Sequence, residues 1–227
     1  MNITWILLYT LVTHGLEIVI FFKVDGIGIT FERIFKAFLF KILLAFVFLM
    51  IDYMVGDSYL FYFMEPLYGI GLSFLLLRGL PKKLLLFYGL FPMILMNLFH
   101  RGVSYFVLPF LGQGQVYDDY SFALLCIIIF NFFISLVFLK WLDYDFTNLK
   151  KDIFDKGFQK SLTKINWIMG AYYLVIQTLS YFEYEQGIQS KTVRHLILVF
   201  YLLFFMGIIK KLDTYLKDKL HERLDQE

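Results

Sequence analysis

Residues Val193 to Glu227 read VRHLILVFYLLFFMGIIKKLDTYLKDKLHERLDQE, an apolar run that passes into a charged segment with no Pro and no turn signal between them. The pattern predicts one unbroken helix leaving a membrane: Val193 to Ile209 suits lipid, and Lys210 and Lys211 mark where water begins. Beyond them Leu212, Leu216, Leu220 and Leu224 recur every fourth residue, a drift of roughly 40° per step that lays a slanting apolar stripe on a charged helix. Such a stripe needs a partner. It is expected either to pair with a second copy of the chain or to lead into a further domain. The predicted organisation is therefore a membrane domain over residues 1–209 and a cytoplasmic helix over 210–227, the start of a dimerising coiled coil.

The totals agree with a membrane protein. Of 227 residues, 59% are hydrophobic and 21% aromatic, and mean hydropathy is +0.68, which excludes an ordinary soluble domain of this length. The first apolar segment, Ile3 to Phe22, has no basic leader and no small-residue cleavage signature, so it reads as a first span rather than a removable signal. A net charge of +2 carries no nucleic-acid signal, because the basic residues sit in short loops beside apolar runs. The one cysteine, Cys126, is enclosed by apolar residues and permits neither a disulfide framework nor a thiol pair.

At about 20 apolar residues per crossing, the fold class is all-α, a polytopic helix bundle of about seven spans. They are Ile3 to Phe22, Ile34 to Val55, Tyr59 to Leu77, Leu84 to Leu108, Tyr120 to Leu142, Ile165 to Tyr184 and Val193 to Ile209. Loop charges alternate: Lys23 and Arg33 follow the first span, Arg78, Lys82 and Lys83 the third, and six lysines lie between Lys140 and Lys164. The intervening loops before Tyr59 and over Pro109 to Asp119 have no basic residue. The positive-inside rule then puts the amino terminus outside and the tail in the cytoplasm, with Lys191 and Arg194 as the exceptions. Within the long inner loop Asp143 to Lys164, Ile153, Phe154, Phe158 and Leu162 have helical spacing, which fits either an amphipathic helix on the inner leaflet or a solvated connector.

Ionisable residues inside spans are costly and need partners. Rise per residue puts Glu65 and Arg101 each roughly 10 Å below the outer ends of consecutive spans, so they can pair; Glu17 and Lys41 match in depth near the inner side. His14, three residues before Glu17, shares its helix face. Either pair serves equally well as a tie within the bundle or as part of a site. Pro66 and His100 stand beside the outer pair, and Pro66 frees a backbone carbonyl for a ligand or neighbour. The outward face carries Asp52, Asp57, Glu65, Asp118, Asp119, Glu183 and Glu185 against Arg101, Lys191 and Arg194. That excess of acids suits a cationic ligand, or else ordinary solvated loop ends.

No catalytic constellation, zinc motif or nucleotide-binding loop is present in the sequence, so no catalytic residue, metal or cofactor is assigned. The glycines Gly69, Gly71, Gly89 and Gly170 read as close helix contacts. His221 is followed by six residues, too few for the hairpin and nucleotide domain that phosphotransfer requires.

At GluProLeuTyrGlyIleGlyLeuSer (65–73), PheTyrGlyLeuPhePro (87–92), AsnLeuPheHisArg (97–101) and TyrTyrLeuValIleGlnThrLeu (172–179), the chain resembles the sensor region of streptococcal peptide-pheromone receptor histidine kinases of the ComD type, and nearly as well the related BlpH type. The resemblance implies a multi-pass cell-membrane receptor for quorum sensing in a two-component system. Its expected ligand is an extracellular peptide, cationic by the charge reading above, and its partners a second copy of the chain and the lipid bilayer, with no nucleic acid. The kinase half of that family has no counterpart in these residues, so the chain is expected to be a receptor region expressed alone or a remnant without its catalytic half. The alternatives are a small transporter, with Glu17, Lys41, Glu65 and Arg101 along its path, and an immunity or accessory membrane protein.

Overall fold

The computed structural model describes residues 3–55, 63–111, 122–141, 146–150 and 156–184, with Val199, Leu203, Met206, Gly207, Lys210 and Thr214 of the last apolar run. Six α-helices account for nearly all of them: α1 Ile3–Asp25, α2 Phe31–Val55, α3 Met64–Leu76, α4 Lys82–Leu111, α5 Phe122–Trp141 and α6 Lys156–Tyr184. A 3₁₀ turn spans Phe146–Lys150, and no strand occurs among the described residues. The chain divides into two compact units, Met1–Leu43 with Phe91–Thr147, and Leu44–Leu90 with Asn148–Glu227.

In the first unit α1 packs on α5. Ile18, Ile20, Phe21 and Phe22 of α1 are at most 2% exposed. Phe91 stacks on Phe146 with ring centroids 4.9 Å apart. Helix α1 stops at Gly26, whose φ of 62° is the left-handed conformation that glycine adopts without a Cβ penalty. The Ile27 amide then reaches back to the Phe22 carbonyl at 3.0 Å, closing the C-terminus in the usual glycine manner. Four residues later Thr30 starts α2: its hydroxyl accepts from the Arg33 amide, and Arg33 Nη1 donates to the Gly28 carbonyl at 2.8 Å. A span break expected from Lys23 and Arg33 is thus built from GlyIleGlyIleThr.

In the second unit α3 and α4 are joined by a turn around Gly79, at φ 97°. Their backbones cross at Gly89, where an added Cβ would lie 2.5 Å from Ile70 Cα and 2.8 Å from the Gly69 carbonyl oxygen. Only hydrogen fits there. Ser73 Oγ lies 2.7 Å from both the Ile70 and the Leu85 carbonyls, so its proton bonds within α3 or across to α4. Along α6, Phe158, Leu162, Ile165, Met169, Tyr172, Tyr173 and Ile176 form one buried stripe at steps of three and four. Lys150 sits 5.4 Å above the Tyr88 ring, a cation–π contact.

Helix α2 is the clearest membrane element. It has 25 residues, about 37 Å at 1.5 Å per residue, and mean hydropathy 2.5. Its apolar side chains point outward: Ile42 is 64% exposed and Phe46 58%. A water-facing helix would not present such a surface along its length, whereas lipid accepts it.

The span reading is supported only in its coarser part, and one loop reading changes. Among the described residues only α2 and the Lys82–Phe99 part of α4 are long and apolar enough to cross a membrane, so the structure supports membrane association and an all-helical fold but not seven crossings. Helix α3 has 13 residues, about 20 Å, against the roughly 30 Å of a bilayer core. The inner-leaflet amphipathic helix is also revised. Phe158 and Leu162 belong to α6, which begins at Lys156 and continues without a break into the expected sixth span. Ile153 and Phe154 lie outside the described residues.

Candidate functional site

The structure brings three ionisable side chains together in the first unit. Lys41 Nζ donates to Glu17 Oε2 at 2.6 Å, and His14 Nδ1 lies 3.1 Å from the same oxygen. Contact with a carboxylate oxygen requires His14 to carry its proton on Nδ1. The i, i+3 spacing on α1 puts His14 beside Glu17, and the lysine comes across from α2. Lys41 is 4% exposed and Glu17 15%, so the carboxylate has exchanged water for two protein donors. Charge is balanced locally with a neutral imidazole, and a proton added to His14 would leave the cluster with one net positive charge.

Polar groups that sequence reasoning passed over are also buried here. Asn131, 2% exposed in the middle of α5, donates through Nδ2 to the Met96 carbonyl at 3.0 Å, and its Oδ1 has no hydrogen-bond partner among the described residues. The signal was available, since Asn131 is a strong polar group within the apolar run Phe122 to Ile134 of α5. Asp25, the last residue of α1, is fully buried, although its position beside Gly26 reads as a solvated loop end.

The expected outer site is placed only in part. Asp52 and Glu65 are half-buried, on the last turns of α2 and the first turn of α3. His100, Arg101 and Glu183 fall within α4 and α6, and their side chains lie outside the described residues, as do Asp57, Asp118, Asp119 and Glu185 altogether. The pairing of Glu65 with Arg101 therefore lies outside them too. So do Leu212, Leu216, Leu220 and Leu224 of the tail. Helical structure does occur at Lys210 and Thr214, where the Thr214 hydroxyl donates to the Lys210 carbonyl at 2.8 Å.

Pro66 stands in the first turn of α3, and the carbonyl its missing amide would leave free, that of Tyr62, lies outside the described residues. Gly170 is exposed, and among the described residues nothing lies within 4 Å of an added Cβ, so there it makes no close helix contact, unlike Gly89. No group of three or more metal-ligating side chains occurs among the described residues.

Comparison with known protein families, characterised proteins and solved structures finds no match to this chain. What fold and geometry define is an all-helical, membrane-associated protein with a buried His–Glu–Lys cluster.

Proposed function

We propose that the chain is the membrane sensor region of a peptide-pheromone receptor, a homodimer that binds an extracellular cationic peptide and passes the signal through Val193 to Glu227 to a histidine kinase. The accompanying topology is multi-pass, about seven spans, with the amino terminus outside and the tail in the cytoplasm. The observation that carries the reading is the run of segments resembling ComD-type sensors at 65–73, 87–92 and 97–101. Its support from packing is local: the Gly69–Ile70 backbone of the first segment seats against Gly89 of the second, and Tyr68 and Tyr88 are fully buried. Residues with that role are constrained by helix contact, leaving ligand recognition to the outward acids Asp52, Asp57, Glu65, Asp118, Asp119, Glu183 and Glu185.

A transporter is the second reading, favoured by the buried cluster of His14, Glu17 and Lys41. Both donors there converge on one carboxylate oxygen, an arrangement that suits a fixed tie better than a path that must release its ion.

The test is peptide association. With the protein in lipid nanodiscs and a cationic amphipathic peptide in solution, the on-rate should fall roughly tenfold from low to physiological salt, and further with Asp118→Asn plus Asp119→Asn, while the off-rate changes little. An on-rate independent of salt, or equal binding of a neutral peptide, would leave the acids as loop solvation and remove the charge argument.

A further inference from the structure

In the second unit, a cavity of about 250 Å³ lies between the start of α4 and the first turns of α6. This is far above the roughly 15 Å³ that one water needs. Its floor is apolar: Pro81, Leu84, Phe158 and Leu162, the last three at most 4% exposed. Its rim is polar, formed by Lys82, Lys83 and Gln159. The Asn166 side chain donates to the Lys83 carbonyl at 2.7 Å, which fixes α6 against the α4 start and holds the rim in register.

The charge on the rim itself is positive, from Lys82 and Lys83, and further basic residues flank these segments. Arg78, Lys82 and Lys83 precede or open α4, and Lys156, Lys160 and Lys164 recur every fourth residue along the start of α6. All six are exposed. The sequence has no acid from Leu77 to Leu90 or from Lys156 to Phe182; Asp152 and Asp155, just before Lys156, lie outside the described residues. Trp167, 76% exposed and three residues past Lys164, is the type of side chain that settles at a membrane interface.

We propose that this cavity binds an anionic phospholipid of the cytoplasmic leaflet, with the headgroup phosphate at Lys82 and Lys83 and the upper acyl chain on Phe158 and Leu162. Clustered lysines beside a span attract acidic lipids, each worth about fivefold in binding. A free anion would satisfy the rim but leave the apolar floor wet. An uncharged lipid would cover the floor but give Lys82 and Lys83 no anion. Only a molecule with both parts matches both surfaces. The inference rests on the topology proposed above, which sets the leaflet, and is independent of peptide binding.

The experiment uses the full chain reconstituted in vesicles of phosphatidylcholine alone and of phosphatidylcholine with phosphatidylglycerol, and reads the lipids retained by native mass spectrometry. The native protein should keep phosphatidylglycerol in preference to phosphatidylcholine. Lys82→Gln with Lys83→Gln should cut that preference on the order of twentyfold. Lys82→Arg with Lys83→Arg should retain it, and Lys36→Gln, which removes an exposed lysine elsewhere, should leave it unchanged. Because rim substitutions can perturb folding, Gln159→Glu gives a second route: one acid at the rim should lower the preference with no change of thermal midpoint in pure phosphatidylcholine. Undiminished phosphatidylglycerol retention by the double glutamine variant would overturn the proposal. So would inorganic phosphate displacing the lipid completely, since the site would then hold a free anion.

Discussion

Glu17 is held by two donors on a single oxygen, and the consequence is measurable at the level of single side chains. Glu17→Gln leaves a lysine ammonium 4% exposed without its counter-charge, and Lys41→Gln leaves the carboxylate with only the His14 contact. Breaking one partner of a buried pair costs on the order of 3 to 5 kcal/mol, whereas replacing both leaves no buried charge. Thermal unfolding in detergent should therefore show each single change as worse than the double change, and strictly additive losses would mean the contact contributes nothing. This pair was legible in the sequence because depth along antiparallel helices follows from a fixed rise per residue. Rotation about the helix axis does not follow from it. Gly89 and Gly170 look alike in an apolar run, yet one meets a backbone at 2.5 Å and the other meets nothing among the described residues, because packing against a neighbour sets which face turns inward. The start of α3 was hard to read for a related reason: Phe63 precedes Met64 with no side-chain cap, so no signal in the sequence showed that Pro66 stood in the first turn.

Among the helices, α2 and α6 show what hydropathy can and cannot delimit. The α2 boundaries follow from Thr30 as its cap and a continuous apolar run, and its outward Phe35, Ile42, Phe46 and Met50 mark a lipid-facing surface. Phe46→Lys puts a charge in the middle of that face, at a cost of roughly 2.5 to 3.5 kcal/mol for insertion. Folded yield from membranes should drop by up to a few hundredfold, with Phe46→Leu unchanged. If α2 were bathed in water, the lysine would instead raise solubility and yield, so the sign of the effect decides. Helix α6 was cut short because its first nine residues carry Lys156, Lys160 and Lys164, which lower the local hydropathy. Periodicity was the better guide there: Phe158 and Leu162 are in step with Ile165, Met169 and Tyr172, and one buried stripe implies one helix.

For the molecule as a whole, the all-helical fold was legible from composition and run length, whereas the number of crossings depends on loop charge, which backbone geometry does not report. The strongest contrast in the chain flanks α5. Pro109 to Asp119 has no basic residue and two acids, while Lys140 to Lys164 has six lysines. Between them lies α5, 20 residues and about 30 Å long, which the proposed topology takes as a crossing. The positive-inside rule weights charges near span ends, so this loop pair should dominate the orientation even though Lys191 and Arg194 oppose it. Single cysteines in a Cys126→Ala background, treated in intact cells with an impermeant maleimide, test it. Asp118→Cys should be modified, and Asp155→Cys only after the membrane is opened. The reverse pattern would invert the protein and move the lysine-rimmed cavity to the outer leaflet, and modification of both positions in intact cells would mean that α5 does not cross.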